Sequence, residues 1–419
     1  MDVELITIGD ELLLGFTIDT NAAHLARELA AIGIGIRRRG TVGDVAADIA
    51  SAVSEALERT GAVITTGGLG PTSDDLTKPS IAAIFGREMM LDEQHVAWME
   101  QRWQQRLGRR MPESNRAQAM LPAGATKLAN NHGSAPGIWL EDDRGRWVAM
   151  LPGVPREMRG MLADTLLPRL RERAGEAGDA TVVKSRTLRT TGVAESLLAD
   201  QLDPLREGLG AVSLAYLPAP DGVDLRLTVR DVGDSEADAV LDRAASIIRG
   251  RLARAIYAEG GTDLSSVVLD LCRAAHRTIA VAESCTGGLL GARLTAIPGS
   301  SDVVLGGVIA YANEVKRELL EVGQSSLDNH GAVSEAVVRE MAEGVRNRLR
   351  ASIGIAITGV AGPGGGTPDK PVGTVWIAAA FATETRALPL RLIGDREEIR
   401  RRATQSALEL VRRSLVERD

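Results

Sequence analysis

Three side chains able to attack or donate, Ser284, Cys285 and Thr286, stand together in Arg277 to Gly291, RTIAVAESCTGGLLG, directly before the glycine pair Gly287-Gly288. Apolar Ile279 to Ala282 precedes them and the spacing of Leu289, Leu290, Ala292 and Leu294 follows, which predicts a strand, a tight turn and a helix. A hydroxyl on such a turn sits where the first helical N–H groups lack partners and the helix dipole is positive, so it faces a place prepared for negative charge. Ser or Thr there ordinarily serves only as an N-cap. Two glycines exceed what a cap needs, since each weakens the helix start by roughly 1 kcal/mol relative to alanine. Further on, Tyr311-Ala312-Asn313-Glu314-Val315-Lys316 follows an apolar run. If Asn313 caps a helix, Lys316 lies in its first turn, an unfavourable place for a cation. Beside a phenol, such a lysine has reason to be partly neutral, and a neutral lysine can act as a base. Ile353 to Thr358 then empties into the glycine loop that begins Gly359-Val360-Ala361-Gly362, so Ser284, Thr358 and that loop stand at comparable strand ends and can converge on one crevice. The two cysteines, Cys272 and Cys285, offer no metal spacing and no disulfide framework.

A second candidate site is GGLGPTSDD, residues 67–75. Gly67, Gly68 and Gly70 let backbone approach a phosphate, Thr72 can donate to it, and Asp74 and Asp75 can hold a divalent cation that shares its charge. The loop lacks the Lys-Ser/Thr of a Walker A motif and the spacing of a dinucleotide fingerprint. The plain alternative is a tight turn needing positive φ. Adjacent carboxylates, however, repel unless something cationic is near.

The elements that must carry these groups alternate. Glu4 to Ile8, Gly35 to Val42 and Ala62 to Thr66 are expected strands, with Asn21 to Ile32 and Asp48 to Thr60 as helices, and Trp147 to Leu151 ends at Pro152-Gly153-Val154-Pro155. That alternation argues for a parallel sheet covered on both faces, with ligands beyond the carboxyl ends of its strands. A charged stretch, Arg169 to Asp179, leads to a segment reading βαββαβ from Thr181 to Ala258, in which no catalytic constellation is found. The expectation is therefore an α/β chain of three domains: a three-layer parallel-sheet domain over 1–170, a small α+β domain over 171–260 and an α/β domain over 261–419. With 419 residues, 44% hydrophobic and 25% charged, the composition is that of a folded globular chain. A net charge of −7 and 3% aromatic residues argue against nucleic acid as a partner. No apolar run approaches the roughly 20 residues that cross a bilayer, and Met1-Asp2-Val3-Glu4 opens directly into a strand, so a cytoplasmic protein is expected.

The motifs resemble a known family along nearly the whole chain. GDELL at Gly9, DTNA at Asp19, VGD at Gly43, GGLGPTSDD at Gly67, SAPG at Ser134 and LPGVPREM at Leu151 look like the molybdopterin-binding-like domain of the competence/damage-inducible CinA family. AESCTGG at Ala282, IPGSS at Ile297, YANEVK at Tyr311, GAVSE at Gly331, ITGVAGP at Ile357 and PVGTVWIA at Pro371 resemble its carboxyl-terminal amidohydrolase domain. The resemblance implies deamidation of nicotinamide mononucleotide in the third domain, with Ser284 as nucleophile, Tyr311 and Lys316 as its activating partners and no cofactor. In the first domain it implies a metal-dependent ADP-ribose pyrophosphatase using Mg, Mn or Co. There Asp44 and Asp75 match aspartates that approach metal and phosphates, and Asp10 lies on a neighbouring strand end. The middle segment matches a small linking domain. A homodimer is expected, with nicotinamide mononucleotide and ADP-ribose as small-molecule partners and neither membrane nor nucleic acid.

The chemistry agrees. Carboxamide hydrolysis needs a nucleophile, a base, donors for the oxyanion and a proton for departing ammonia. Backbone N–H groups from Cys285 through Thr286 and Gly287 to Gly288 can hold the oxyanion, and Arg396, near a helix start, is the expected partner of the substrate phosphate. Lysine titrates near 10.4 and a useful base near 7 to 8, so the site must destabilise the ammonium by roughly 4 kcal/mol. Two other readings compete: a pterin- or nucleotide-binding scaffold without turnover, and an adenylyl or molybdenum-insertion enzyme of cofactor biosynthesis.

Overall fold

The computed structural model describes residues 1–175 and 182–417. The expected linker from 176 to Asp179 and the expected strand start at Thr181 lie outside the described residues. The chain forms two compact units, Met1–Lys184 with Val229–Ala239, and Ser185–Thr228 with Val240–Asp419.

The first unit is built on strands β1 (Asp2–Ile8), β2 (Gly35–Val42), β3 (Ala62–Thr66), β6 (Thr126–Leu128), β7 (Gly137–Glu141) and β8 (Trp147–Leu151), in the sheet order β2-β1-β3-β8-β7-β6; β4 (Met89–Leu91) and β5 (Met120–Pro122) form a separate ribbon. The central strands β3 and β8 are buried along their whole length, as strands covered on both faces must be. At the edge, β2 exposes Arg37, Arg38 and Arg39, charges that discourage a second chain from pairing there. The expected parallel arrangement holds across four of the six strands. β1, β2, β3 and β8 are parallel, but β7 runs antiparallel to β8, and β6 to β7. The five residues between Glu141 and Trp147 are too few for a crossover, so they close a hairpin.

The small sheet, β9 (Val182–Thr190), β10 (Ser213–Ala219), β11 (Gly222–Val232) and β12 (Ile256–Glu259), takes the order β10-β11-β9-β12, with helices Glu195–Leu202 and Asp234–Leu252 in the expected βαββαβ sequence.

The second unit also holds β13 (Ile279–Glu283), β14 (Val304–Ile309), β15 (Ile353–Gly359), β16 (Thr374–Ala380) and β17 (Thr385–Arg391), ordered β14-β13-β15-β16-β17. β14, β13 and β15 are parallel, while the hairpin into β17 makes the other side antiparallel. Register sets the site: Glu283 ends β13 beside Ile309 of β14 and Ile357 of β15, so the segments that leave these strands emerge together at one end.

Candidate functional site

Ser284 is the first residue past β13. Its N–H donates to the Ile357 carbonyl at 2.9 Å, and the Ala310 N–H donates to the Glu283 carbonyl at 2.8 Å, so the serine is held between the ends of β14 and β15. The serine does not cap the following helix. Helix Leu289–Thr295 has Gly288, at φ 95°, in the N-cap position with no side-chain cap. Its N-terminal donors are met by the buried Glu283 carboxylate, which accepts from the N–H groups of Gly288 at 3.1 Å, Leu290 at 3.0 Å and Gly291 at 2.8 Å. Charge-assisted bonds of this kind fix the turn and leave the Ser284 hydroxyl free. They also correct the expected anion site, because the helix N-terminus already holds a carboxylate. Gly287 is engaged too, donating to the Ser284 carbonyl at 3.1 Å. Of the four expected oxyanion donors, the N–H groups of Cys285 and Thr286 remain without a protein acceptor among the described residues.

Lys316 meets the serine. Helix Asn313–Leu320 is preceded by Ala312 as N-cap, so Asn313 is its first residue rather than its cap, and Lys316 is its fourth. The lysine is 1% exposed. Its Nζ lies 2.8 Å from the Ala310 carbonyl oxygen, 3.2 Å from the Tyr311 carbonyl oxygen and 3.3 Å from Ser284 Oγ. Burial lowers its pKa below the ordinary lysine value, against the weaker opposing pull of Cys285 and Glu314. An ammonium can donate to all three oxygens. A neutral amine has two N–H groups for the two carbonyls, which leaves its lone pair facing the Ser284 hydroxyl.

Tyr311 contributes differently from the expected relay. Its carbonyl supports Lys316, but the residue is 62% exposed and the phenol oxygen accepts from Arg396 Nη2 at 3.2 Å. Arg396 also donates from Nη1 to the Gly362 carbonyl at 2.6 Å, so one guanidinium joins the glycine loop to the tyrosine. The structure thus brings Ser284, Lys316, Tyr311, Gly362 and Arg396 into one connected cluster. Thr358 and Gly359 end the adjacent β15, where the Thr358 hydroxyl donates to the Ala332 carbonyl at 2.8 Å. Cys285 is a poor rival nucleophile, since burial pushes its thiol up to about 11. Two contributors escaped the sequence reading. Glu283 had a visible signal, a carboxylate closing an otherwise apolar strand. Arg400, one helical turn after Arg396, donates from Nη2 to the Thr286 carbonyl at 2.7 Å.

In the first unit Gly67, Gly68, Gly70, Asp44, Asp74 and Asp75 line a cavity of ≈ 550 Å³, whereas the expected Asp10 and Thr72 are not part of its lining. Asp10 and Asp44 clasp each other: the Asp10 N–H donates to Asp44 Oδ2 at 3.0 Å and the Asp44 N–H to Asp10 Oδ1 at 3.2 Å. Gly43 permits the approach, because a Cβ there would fall 2.3 Å from Asp10 Oδ1. Burial raises the pKa of Asp44, the Asp10 N–H opposes that, and the charges of Asp10, Glu11 and Asp74 raise it further. Asp75 is committed to its own loop, accepting from the Gly70 N–H at 2.7 Å, the Thr72 N–H at 2.8 Å and the Thr72 hydroxyl. Among the described residues, no group of three or more His, Cys, Asp or Glu can hold a metal by itself. Asp10, Glu11 and Asp74 place negative charge on Asp44, an all-oxygen environment of the kind that a hard cation relieves. Asp75 would act there by shaping the loop.

No described helix is long and apolar enough to cross a membrane. Residues 4–172 match the probable molybdopterin binding domain, 185–258 the damage-inducible protein CinA KH domain and 261–415 the CinA C-terminal domain. A CinA-like protein of Gemmatimonas aurantiaca is 62% identical over 414 residues, spanning 99% of this chain and 96% of the relative. A CinA-like protein of Salinibacter ruber is 45% identical over 416 residues, spanning 99% and 100%. Among solved structures, the competence/damage inducible protein CihA from Agrobacterium tumefaciens is 39% identical, with a TM-score of 0.36, covering 36% of this chain and 93% of that one. With relatives of such identity matched from end to end, the chain belongs to the CinA family.

Proposed function

We propose that the carboxyl-terminal domain hydrolyses the carboxamide of nicotinamide mononucleotide to nicotinate mononucleotide and ammonia. The observation that carries this reading is the buried Lys316 amine, with two backbone carbonyls for its hydrogens and Ser284 Oγ at 3.3 Å. Lys316 takes the Ser284 proton as Oγ attacks the amide carbon. The oxyanion meets the N–H groups of Cys285 and Thr286. The C–N bond breaks as the lysine ammonium returns its proton to the leaving nitrogen, which departs as ammonia. Water, deprotonated by the same amine, cleaves the acyl-serine and restores the hydroxyl. Arg396, which joins the glycine loop to Tyr311, would receive the substrate phosphate. The test is ammonia release from nicotinamide mononucleotide by wild type and by folded Ser284→Ala. A mutant that keeps near wild-type turnover would remove the nucleophile, and no release by wild type would favour a binding scaffold.

The carboxylates of the first unit support a second activity, metal-dependent cleavage of ADP-ribose. Asp10, Asp44 and Asp74 would hold the ion, which would neutralise pyrophosphate charge. Product analysis with ADP-ribose and Mg²⁺ or Mn²⁺ tests this, while tight pterin binding without cleavage would favour the cofactor-biosynthesis alternative. Nucleic acid remains an unsupported partner: residues 185–258 match a KH family yet contain no Gly-x-x-Gly, the loop with which KH modules clamp nucleotides.

A further inference from the structure

We propose that a cavity of ≈ 660 Å³ in the second unit, beside the catalytic cluster, binds a phosphate group, free or carried by a nucleotide, at a place separate from the substrate, with Asp221 as the internal counter-ion that the phosphate displaces. That the ligand is separate from the substrate rests on the deamidase reading; the binding itself does not.

Three elements wall the cavity: helix Leu289–Thr295, the start of helix Arg396–Val416, and the two-residue turn Pro220-Asp221 between β10 and β11, which contributes Asp221. Arg293, Arg396, Arg400 and Arg401 face only two carboxylates there, those of Asp221 and Glu397. Ser284, Lys316 and Tyr311 are not part of the lining, so the cavity is a neighbour of the catalytic cluster and not its interior. Three of the arginines stand in the first two turns of their helix, the end at which the dipole disfavours cations. Positive charge gathered there costs stability, and an anion from outside the chain offsets that cost.

The partners of these arginines show which charge is free. Arg293 is held by Asp263 at 2.8 Å. Arg396 and Arg400 donate to uncharged oxygens, those of Gly362, Tyr311 and Thr286. The Nε of Arg400 is buried without an acceptor, and a charged donor left unpaired in this way is costly. Arg401 pairs with Asp221 at 3.5 Å, while the other oxygen of Asp221 lies 3.9 Å from Arg293. Charge-assisted bonds between guanidinium and carboxylate ordinarily close to about 2.7–2.9 Å, so Asp221 balances the arginines without saturating them. A phosphate group brings more acceptor oxygens and a larger charge, which suits planar guanidinium forks on adjacent helical positions. Leu289 and Ala292 add an apolar wall for the rest of a nucleotide. Binding here reaches the catalytic cluster directly, because Arg400 holds the Thr286 carbonyl and Arg396 the Tyr311 phenol.

The test is calorimetric titration of the full chain with inorganic phosphate and, separately, with AMP, both in EDTA so that any metal-dependent site of the first unit is silent. Saturable phosphate binding is expected. Arg401→Gln should weaken it about tenfold, and Asp221→Asn, which removes the competing carboxylate, should strengthen it several-fold, with melting temperatures unchanged. AMP bound more tightly than phosphate identifies a nucleotide as the ligand, and equal affinities identify the free anion. In the deamidase assay, phosphate should change kcat without competing with nicotinamide mononucleotide, and Arg401→Gln should erase that response while KM stays within about twofold of wild type. No binding of either probe overturns the proposal, as does weaker phosphate binding in Asp221→Asn. Phosphate that competes with nicotinamide mononucleotide, together with a KM that rises in Arg401→Gln, also overturns it, because the cavity would then be the substrate's own phosphate subsite. Absence of ammonia release by wild type removes the deamidase reading and leaves the binding result standing.

Discussion

Lys316 shows how one position decides both an ionisation state and a role. A surface lysine at the fourth position of a helix would stay charged and solvated. Here the amine is buried, and its environment consists of two carbonyl oxygens and one hydroxyl, none of which is a counter-ion. Desolvation therefore dominates and the pKa falls. The sign for catalysis follows: the neutral form is the base, so deamidation should rise with pH through an apparent pKa below the ~10.4 of free lysine and then level off. Lys316→Met, which keeps the length without the nitrogen, should lower kcat on the order of 10²- to 10⁴-fold and abolish that pH limb. Because the two groups act as one unit, combining it with Ser284→Ala should cost little more than the worse single change. A Lys316→Met enzyme with an unchanged pH profile would show that another group is the base. Tyr311 separates two roles within one residue. Since its carbonyl and not its phenol touches the amine, Tyr311→Phe should keep the base and lose only the Arg396 contact, raising KM for nicotinamide mononucleotide several-fold while kcat changes less. A kcat loss as deep as that of Lys316→Met would restore the phenol as a proton relay.

At the scale of elements, the serine turn works because its supporting carboxylate comes from the strand and not from the turn. AESCTGG offers three candidate caps before a helix, although its two glycines exceed what a cap needs. What sequence could not give is the direction of Glu283. As the last residue of a parallel strand it is drawn into the interior, where it accepts from the N–H groups that open the next helix. The strand-turn-helix was thus legible, while the division of labour between Glu283 and Ser284 was not. The same limit explains the sheets. Buried apolar runs such as β3 and β15 announce themselves, but 85–146 hold short strands and a helix, Glu93–Leu107, whose pairing depends on tertiary neighbours. Removing the cap tests its role. Glu283→Ala strips one buried and two half-buried N–H groups of their charged acceptor and should destabilise the second unit by about 3 kcal/mol, read as a lower denaturation midpoint. Activity should fall with it at temperatures where the variant stays folded. A variant of wild-type stability would mean that water replaces the carboxylate.

Across the molecule, the two candidate sites follow one structural rule in two separate units. Each lies beyond the carboxyl ends of parallel strands, where polar groups emerge around an apolar sheet. Their electrostatics differ. The carboxyl-terminal cluster pairs a buried amine with a serine beneath an exposed arginine, and the other cavity is lined by carboxylates without a basic side chain. If both proposed activities are present, one needs no metal and the other depends on one, and substitutions should separate them. Asp75 holds the Gly70 and Thr72 N–H groups, so Asp75→Ala should release the 67–75 loop and abolish any ADP-ribose cleavage while deamidation stays within about twofold of wild type. Ser284→Ala should do the reverse, losing deamidation and keeping cleavage. EDTA should act like the first substitution and not the second. Assaying both activities on the same preparations checks this. Parallel loss of both in Asp75→Ala, without a drop in melting temperature, would mean that the sites are energetically coupled across the chain.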